Sequence, residues 1–355
     1  MQKPRRRWFY VEIVFRVSGL SSIRCQDESV PVRKRCEIMK SSLPMKKKGK
    51  NGGVPESSKV EGGRSAFGIA LGGGGSRAFI HFGVLSKLEE VGLRPSQLTG
   101  SSMGAVLGAL YASEPNFNAA LPRLLDYFRK SSLFGGLIKP EKGDGLHSRP
   151  GILGNLARKF ATWSVATAVS FRQGLRRQNP VNKAIWDFFG REGKQYEQLH
   201  LPFGTNALNL TTGNLEEFVS GSIGPPLRAG VAIGLIFAPF LWNDHQYADA
   251  APICPVPVNL CRRLGAQKIL AVDICAPLRR PLESRSGFDV VQRILSMQSE
   301  LLNKQETNAA DLILDIDVSD VFWGDFSRID ELVERGRTAA DSIVDRLREV
   351  IGGSA

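Results

Sequence analysis

The sequence predicts an α/β fold, a three-layer sandwich with a largely parallel central sheet flanked by helices. Three observations carry this expectation. Short apolar runs of strand length alternate with segments of helical spacing. Two successive strand, tight-turn, helix units fill the stretch from Ala66 to Ser113. The 355 residues, 42% of them apolar, suffice for one core of about 200 to 300 residues with a tail left over.

Residues 1–64 mix charge runs ("PVRKRC", "MKKKGKNGG") with Ser, Gly and Pro and show no sustained period, as expected of a basic, disordered N-terminal extension. Met39 and Met45 lie inside it, and translation is expected to start at Met45. The character changes near residue 65, where a folded domain spanning 65–352 is expected to begin. "AFGIAL" is a buried strand running into four glycines, and "RAFIHFGVLSKLEEVGL" carries Phe79, Phe82, Val84, Leu85 and Leu88 at helical spacing. Gly92 and Pro95 close that helix; "SQLTGSS" then leads as a strand into the small-residue helix "MGAVLGALYA". "FGTNALNL" (203–210) and "KILAVDI" (268–274) read as further buried strands. "CRRLG" and "SRIDELVERGRTAADSIVDRLREVI" read as flanking helices. A cap or membrane-facing insertion is expected at about 134–195. Within it, residues 151–178 interleave Leu153, Leu156, Phe160, Trp163 and Val169 with Arg158, Lys159, Arg172, Arg176 and Arg177, the pattern of a basic amphipathic helix at a headgroup boundary.

Two motifs carry chemistry. "GSSMG", Gly100 to Gly104, is G-x-S-x-G between a strand pattern and a helix pattern. A nucleophile on so sharp a turn needs neighbours without side chains, and the helix N-terminus favours a developing anion. Ser102 is the candidate nucleophile. The second motif is the glycine run. Gly73, Gly75 and Ala78 fit the relaxed dinucleotide fingerprint G-x-G-x-x-A, yet no acidic residue lies between Val91 and Ser113 to hold a ribose. A P-loop fails as well, because Ser76 and Arg77 follow Gly75 where Lys and Ser or Thr are required. Bare glycines at a helix start can instead aim N–H groups at an oxyanion, which a neighbouring acyl-transfer nucleophile requires.

The base is less local. The histidines are His81, His147, His200 and His245, with none after residue 245. An acid–His pairing of Asp187 with His200 or His245 is allowed by chain order. A carboxylate whose pKa is lifted by burial serves equally. "YADAAPICPVPV" (247–258) sets Asp249 beside two alanines in a loop stiffened by three prolines.

Taken together these stretches resemble the patatin-like phospholipase family. "LALGGGGSRAFIHFGVL" resembles its glycine-rich oxyanion segment and "GSSMGAVLGALYA" its nucleophile elbow. "LRAGVAIGLIFAPF" with "YADAAPICPVPVNLCRRLGAQKILAVDI" resembles the region of its catalytic Asp, and "TNALNLTTGNLEEFVSGS" the strand before it. The resemblance runs over roughly 66–345. It implies a Ser-Asp dyad acting on phospholipid, lysophospholipid or another acyl ester: Ser102 attacks, Asp249 takes its proton, Gly100 and Gly104 shape the elbow. The backbone of Gly73, Gly74, Gly75, Ser76 and Arg77 would hold the oxyanion. No metal or cofactor is implied. The alternative is a lipid-binding relative without turnover, suggested where Ala78 and Ala250 replace customary glycines. If Ala250 must take positive φ, the Asp249 loop is strained.

Charge, cysteines and hydropathy narrow the setting. Residues 1–65 hold 16 Lys and Arg against 6 Asp and Glu, so +10 of the net +12 belongs to the tail. Aromatics accompany that charge only at Trp8, Phe9, Tyr10 and Phe15, which argues against a nucleic-acid-binding face. Cys25, Cys36, Cys254, Cys261 and Cys275 form no C-x-x-C pair and read as reduced thiols. Glu12 and Arg16 interrupt the only signal-like start. The longest apolar run, Ala229 to Trp242, falls short of the ~20 residues needed to span a bilayer and contains Pro239. A cytoplasmic protein, peripheral to the membrane at most, is expected.

Overall fold

The computed structural model describes residues 67–130, 181–190, 193–234, 236–275 and 287–352. The N-terminal extension, Cys25, Cys36, His147, the 151–178 amphipathic segment and residues 134–180 of the expected insertion lie outside the described residues.

Eight strands form one sheet among the described residues. β1 (Phe67–Leu71), β2 (Gln97–Gly100), β3 (Phe203–Asn209), β7 (Lys268–Asp273) and β8 (Leu312–Asp315) run parallel in the order β3-β2-β1-β7-β8. β1 is buried at all five positions, which is why "FGIAL" reads as a continuous apolar run; a central parallel strand is covered by helices on both faces. Three antiparallel strands complete the sheet: β4 (Asn214–Phe218), β5 (Phe240–Trp242) and β6 (His245–Ala248).

β3 explains how distant residues meet. β4 lines one of its edges from Thr205 to Asn209. On the opposite edge β2 pairs with Phe203 to Thr205, and β6, running the other way, pairs with Leu208 and Asn209. β2 and β6 therefore approach head-on along one edge of β3. The residues just past their ends, Ser102 and Asp249, converge in the gap.

The helices flank this sheet. α1 (Ile80–Glu90) follows a short 3₁₀ turn at Gly75–Phe79, and α2 (Ser102–Ser113) follows β2. α2 is buried from Ser102 to Ala112, the mark of a helix apolar all round and sunk in the core. α3 (Phe117–Lys130), α4 (Val181–Phe189), α5 (Gly224–Gly230) and α6 (Val258–Arg263) precede β7; α7 (Gly287–Thr307), α8 (Ile329–Asp341) and α9 (Val344–Gly352) come after it. The flanking-helix pattern "SRIDEL…REVI" forms two helices, separated at Ser342 and Ile343. α1 and α8 touch backbone to backbone: a Cβ on Gly83 would lie 1.9 Å from Val333 O, and one on Gly336 2.1 Å from Ile80 O. No helix among the described residues is long and apolar enough to cross a membrane.

Candidate active site

The carboxyl ends of β1, β2 and β7 are level, with Leu71 paired to both Gly100 and Val272. In an open parallel sheet this is where ligand crevices form. The turn from β2 to α2 is very tight. Ser101 is extended (φ −117°, ψ 145°) and its N–H donates to Leu71 O at 3.2 Å. Ser102 then takes φ +52°, one of three non-glycine residues at positive φ among those described. Such a conformation costs about 1–3 kcal/mol and persists only where surroundings enforce it. The flanking glycines are that enforcement. A Cβ on Gly104 would sit 2.4 Å from Gly72 O, and one on Gly100 2.7 Å from the backbone of Ala105. Gly104→Ala is accordingly expected to lower stability by about 1–3 kcal/mol, read as a fall in denaturant midpoint. An unchanged midpoint would contradict this packing.

Asp249 stands one residue past β6, held by its N–H to Ala232 O at 3.0 Å. Ser102 Oγ donates to its Oδ2 at 2.6 Å, and the Ala251 N–H donates to its Oδ1 at 2.9 Å. Both side chains are buried. Burial disfavours the carboxylate and pushes the Asp249 pKa up to about 6, with the two hydrogen bonds pulling the other way. The Asp249 loop is further closed by the Cys254 N–H on Ala250 O at 2.8 Å. Neither Ala250 nor Ala78 is at positive φ, and both are fully buried, so the strain expected at Ala250 is absent. Alanine fits because the loop bends without a left-handed residue there.

The glycine loop lies against Ser102: a Cβ on Gly73 would be 3.0 Å from the Ser102 Cβ. Its amides, however, are not all free to meet a ligand. The Gly73 N–H donates to Pro255 O at 3.0 Å, that of Ser76 to Trp323 O at 2.7 Å, and that of Arg77 to Gly74 O at 3.3 Å. The N–H groups of Gly74 and Gly75 make no such bond among the described residues. The five residues expected to share the oxyanion thus divide into two available donors and three already engaged. Gly75 has φ +60°, and a Cβ there would come within 2.3 Å of Trp323 O. The loop is fastened along residues 321–323, where Ser76 Oγ donates to Phe322 O at 3.2 Å and Arg77 Nε to Val321 O at 2.8 Å. Nothing local in the sequence marks that segment as part of the site.

These groups open into a cavity of about 950 Å³. Ile233, Ile236, Leu295 and Trp323 supply apolar lining; Arg77, Arg293 and Lys304 bring positive charge, set against Asp273, Glu300 and Asp315 besides Asp249, with Glu300 paired to Lys304 at 2.9 Å. The contribution of α7 to this wall was also invisible from sequence, since it rests on packing between distant segments. None of the described histidines lines the cavity. His245 Nδ1 is 2.6 Å from Asn209 Nδ2, His200 borders a separate cavity of about 180 Å³, and Asp187 accepts from Tyr127 Oη at 2.7 Å and from Lys183. The acid–His pairing allowed by chain order does not assemble around Ser102.

The family model described as patatin-like phospholipase matches residues 69–261. Among curated relatives, the lysophospholipase NTE1 of Debaryomyces hansenii is 24% identical over 304 residues, covering 79% of this chain and 18% of its own. That of Saccharomyces cerevisiae is 28% identical over 230 residues, 64% of this chain and 12% of its own. The chain therefore spans less than a fifth of the length of these relatives. Among solved structures, VipD from Legionella pneumophila aligns with TM-score 0.43 and 16% identity over 88% of this chain and 73% of that one. Human GIVD cytosolic phospholipase A2 aligns with TM-score 0.36 and 13% identity over 81% and 60%. With more than half the chain matched, across the very segments that carry the glycine loop, Ser102 and Asp249, this protein belongs to the patatin-like phospholipase family.

Proposed function

We propose that this chain is a serine lipid acyl hydrolase of phospholipase A or lysophospholipase type. The observation that carries the reading is the 2.6 Å hydrogen bond from Ser102 Oγ to a buried Asp249. Ser102 Oγ attacks the ester carbonyl carbon while Asp249 takes its proton. The oxyanion that forms is met by the N–H groups of Gly74 and Gly75 and by the N-terminus of α2. As the tetrahedral intermediate collapses, the C–O bond breaks and Asp249 passes the proton to the departing alcohol. Water then attacks the acyl-Ser102 ester and gives a proton to Asp249; the acyl C–Oγ bond breaks, Asp249 returns the proton to Ser102 Oγ, and the fatty acid leaves. A carboxylate raised to about 6 suits both halves of this cycle, since it is mostly ionised at neutral pH yet basic enough to hold a proton in passing.

The substrate class follows from the cavity wall and the relatives. An acyl chain matches Ile233, Ile236, Leu295 and Trp323. The curated relatives are lysophospholipases by name. Such a substrate is met at the surface of a micelle or membrane, supported by Val290, Ile294, Met297 and Leu301, which are exposed on α7 at helical spacing. Fatty acid release is therefore expected from micellar lysophosphatidylcholine, with a rate that steps up as the lipid passes its micelle-forming concentration. Release without that step would remove the surface mode, and no release from any acyl lipid would favour a lipid-binding protein without turnover.

A further inference from the structure

His81 is fully buried in the first turn of α1, with its Nε2 2.7 Å from Gly72 O. A carbonyl oxygen only accepts, so Nε2 carries the proton and donates. Burial keeps the ring neutral, pushing its pKa down to about 4. Nδ1 is then an unprotonated acceptor, and it has no hydrogen-bond partner among the described residues. A buried acceptor left unmatched opposes folding, which an apolar side chain of similar size would avoid. The contribution peculiar to this imidazole is its single N–H.

That N–H acts on a particular peptide unit. Gly72 O and the Gly73 N–H belong to the same planar trans peptide and point in opposite directions. One end is bonded by His81, and the other donates to Pro255 O at 3.0 Å, in the loop that carries Asp249. The same Gly72 oxygen lies where a Cβ on Gly104 would fall, so α2 presses against it as well. The next N–H along the chain is that of Gly74. Gly73 has no side chain to limit its torsions, so the direction of that N–H depends on how firmly the preceding peptide is gripped.

We propose that His81 is a positioning residue for ester hydrolysis: by clamping the Gly72–Gly73 peptide against Pro255, it aims the Gly74 N–H at the oxyanion formed on Ser102. The inference rests on the hydrolase reading above.

The test compares His81→Gln, whose amide nitrogen reaches the place of Nε2, with His81→Met, which fills the space without a donor. Wild type and both variants are assayed for kcat and KM on a soluble ester and for thermal midpoint. In His81→Met, kcat is expected to fall about 10²-fold, the scale of one lost oxyanion donor, with KM within about threefold. His81→Gln is expected to recover most of kcat, even if both variants melt earlier than wild type. Should His81→Met fail to fold, His81→Asn takes its place, its amide being too short to reach Gly72 O. An active wild type with undiminished kcat in the donor-free variant, or equal losses in Gln and the donor-free variant, would overturn the clamp alone. A folded wild type without ester turnover would overturn the hydrolase reading and the clamp with it.

Discussion

Ser102→Ala is expected to abolish ester turnover, by about 10⁴-fold or more, while leaving the protein folded. Losses of that order follow removal of a nucleophile whose activation depends on a partner. Folding should survive because alanine keeps the Cβ that the elbow already accommodates, and the positive φ costs alanine much the same as serine. The variant leaves Asp249 with one hydrogen bond fewer, from the Ala251 N–H alone. Since the Ser102 bond lowers the Asp249 pKa, that pKa should move further up in the variant. Initial rates on a chromogenic ester together with a thermal melt check the prediction. A variant within tenfold of wild type would mean that chemistry occurs elsewhere.

Asp249→Asn should be nearly as damaging, because asparagine can keep the hydrogen bond to Ser102 but cannot accept its proton. Loss of general-base assistance is worth about 10²–10⁴ in rate. In the wild type, kcat/KM should rise with pH through an apparent pKa near 6 and flatten above it, because only the ionised carboxylate is a base. The same shift has a sign in stability. The folded-state pKa lies above the ordinary 3.8, so the folded protein binds the proton more tightly than the unfolded chain. The stability this gives is present in full below about pH 4 and is lost as pH rises through about 6. At pH 8 the wild type bears the cost of a buried, ionised Asp249. The neutral asparagine should be more stable there, by up to about 3 kcal/mol. His81 does not confuse the comparison, since its buried ring is neutral at pH 8. Equal activity, or a pH profile flat from 5 to 8, would contradict the assignment.

What the sequence disclosed of this site was local, and what it hid was long-range. The elbow is legible because a turn this tight tolerates no side chain at Gly100 or Gly104, a demand met within five residues. β1 is legible because it is apolar throughout, and β7 because Ile269 to Val272 are; β3 shows as a strand-length segment that is buried even though it carries Thr205, Asn206 and Asn209. Asp249 was a candidate on its setting and gained weight from family resemblance, yet its meeting with Ser102 depends on β6 arriving antiparallel along the edge of β3. Periodicity carries no such information in a four-residue strand. The division of the glycine-loop amides was likewise hidden, because those of Gly73 and Ser76 are taken by carbonyls of Pro255 and Trp323, both distant in the chain. The concern over Ala250 came from a substitution pattern; its backbone conformation was decided by the loop as a whole.

The most direct test of the dyad is fluorophosphonate labelling of the wild type and Asp249→Asn at pH 8, followed by intact mass and peptide mapping. A single adduct on Ser102 is expected in the wild type, forming at least about 10²-fold more slowly in Asp249→Asn if the carboxylate is the activating base. A folded wild type that takes up no label, or takes it up on another serine, would contradict the central claim.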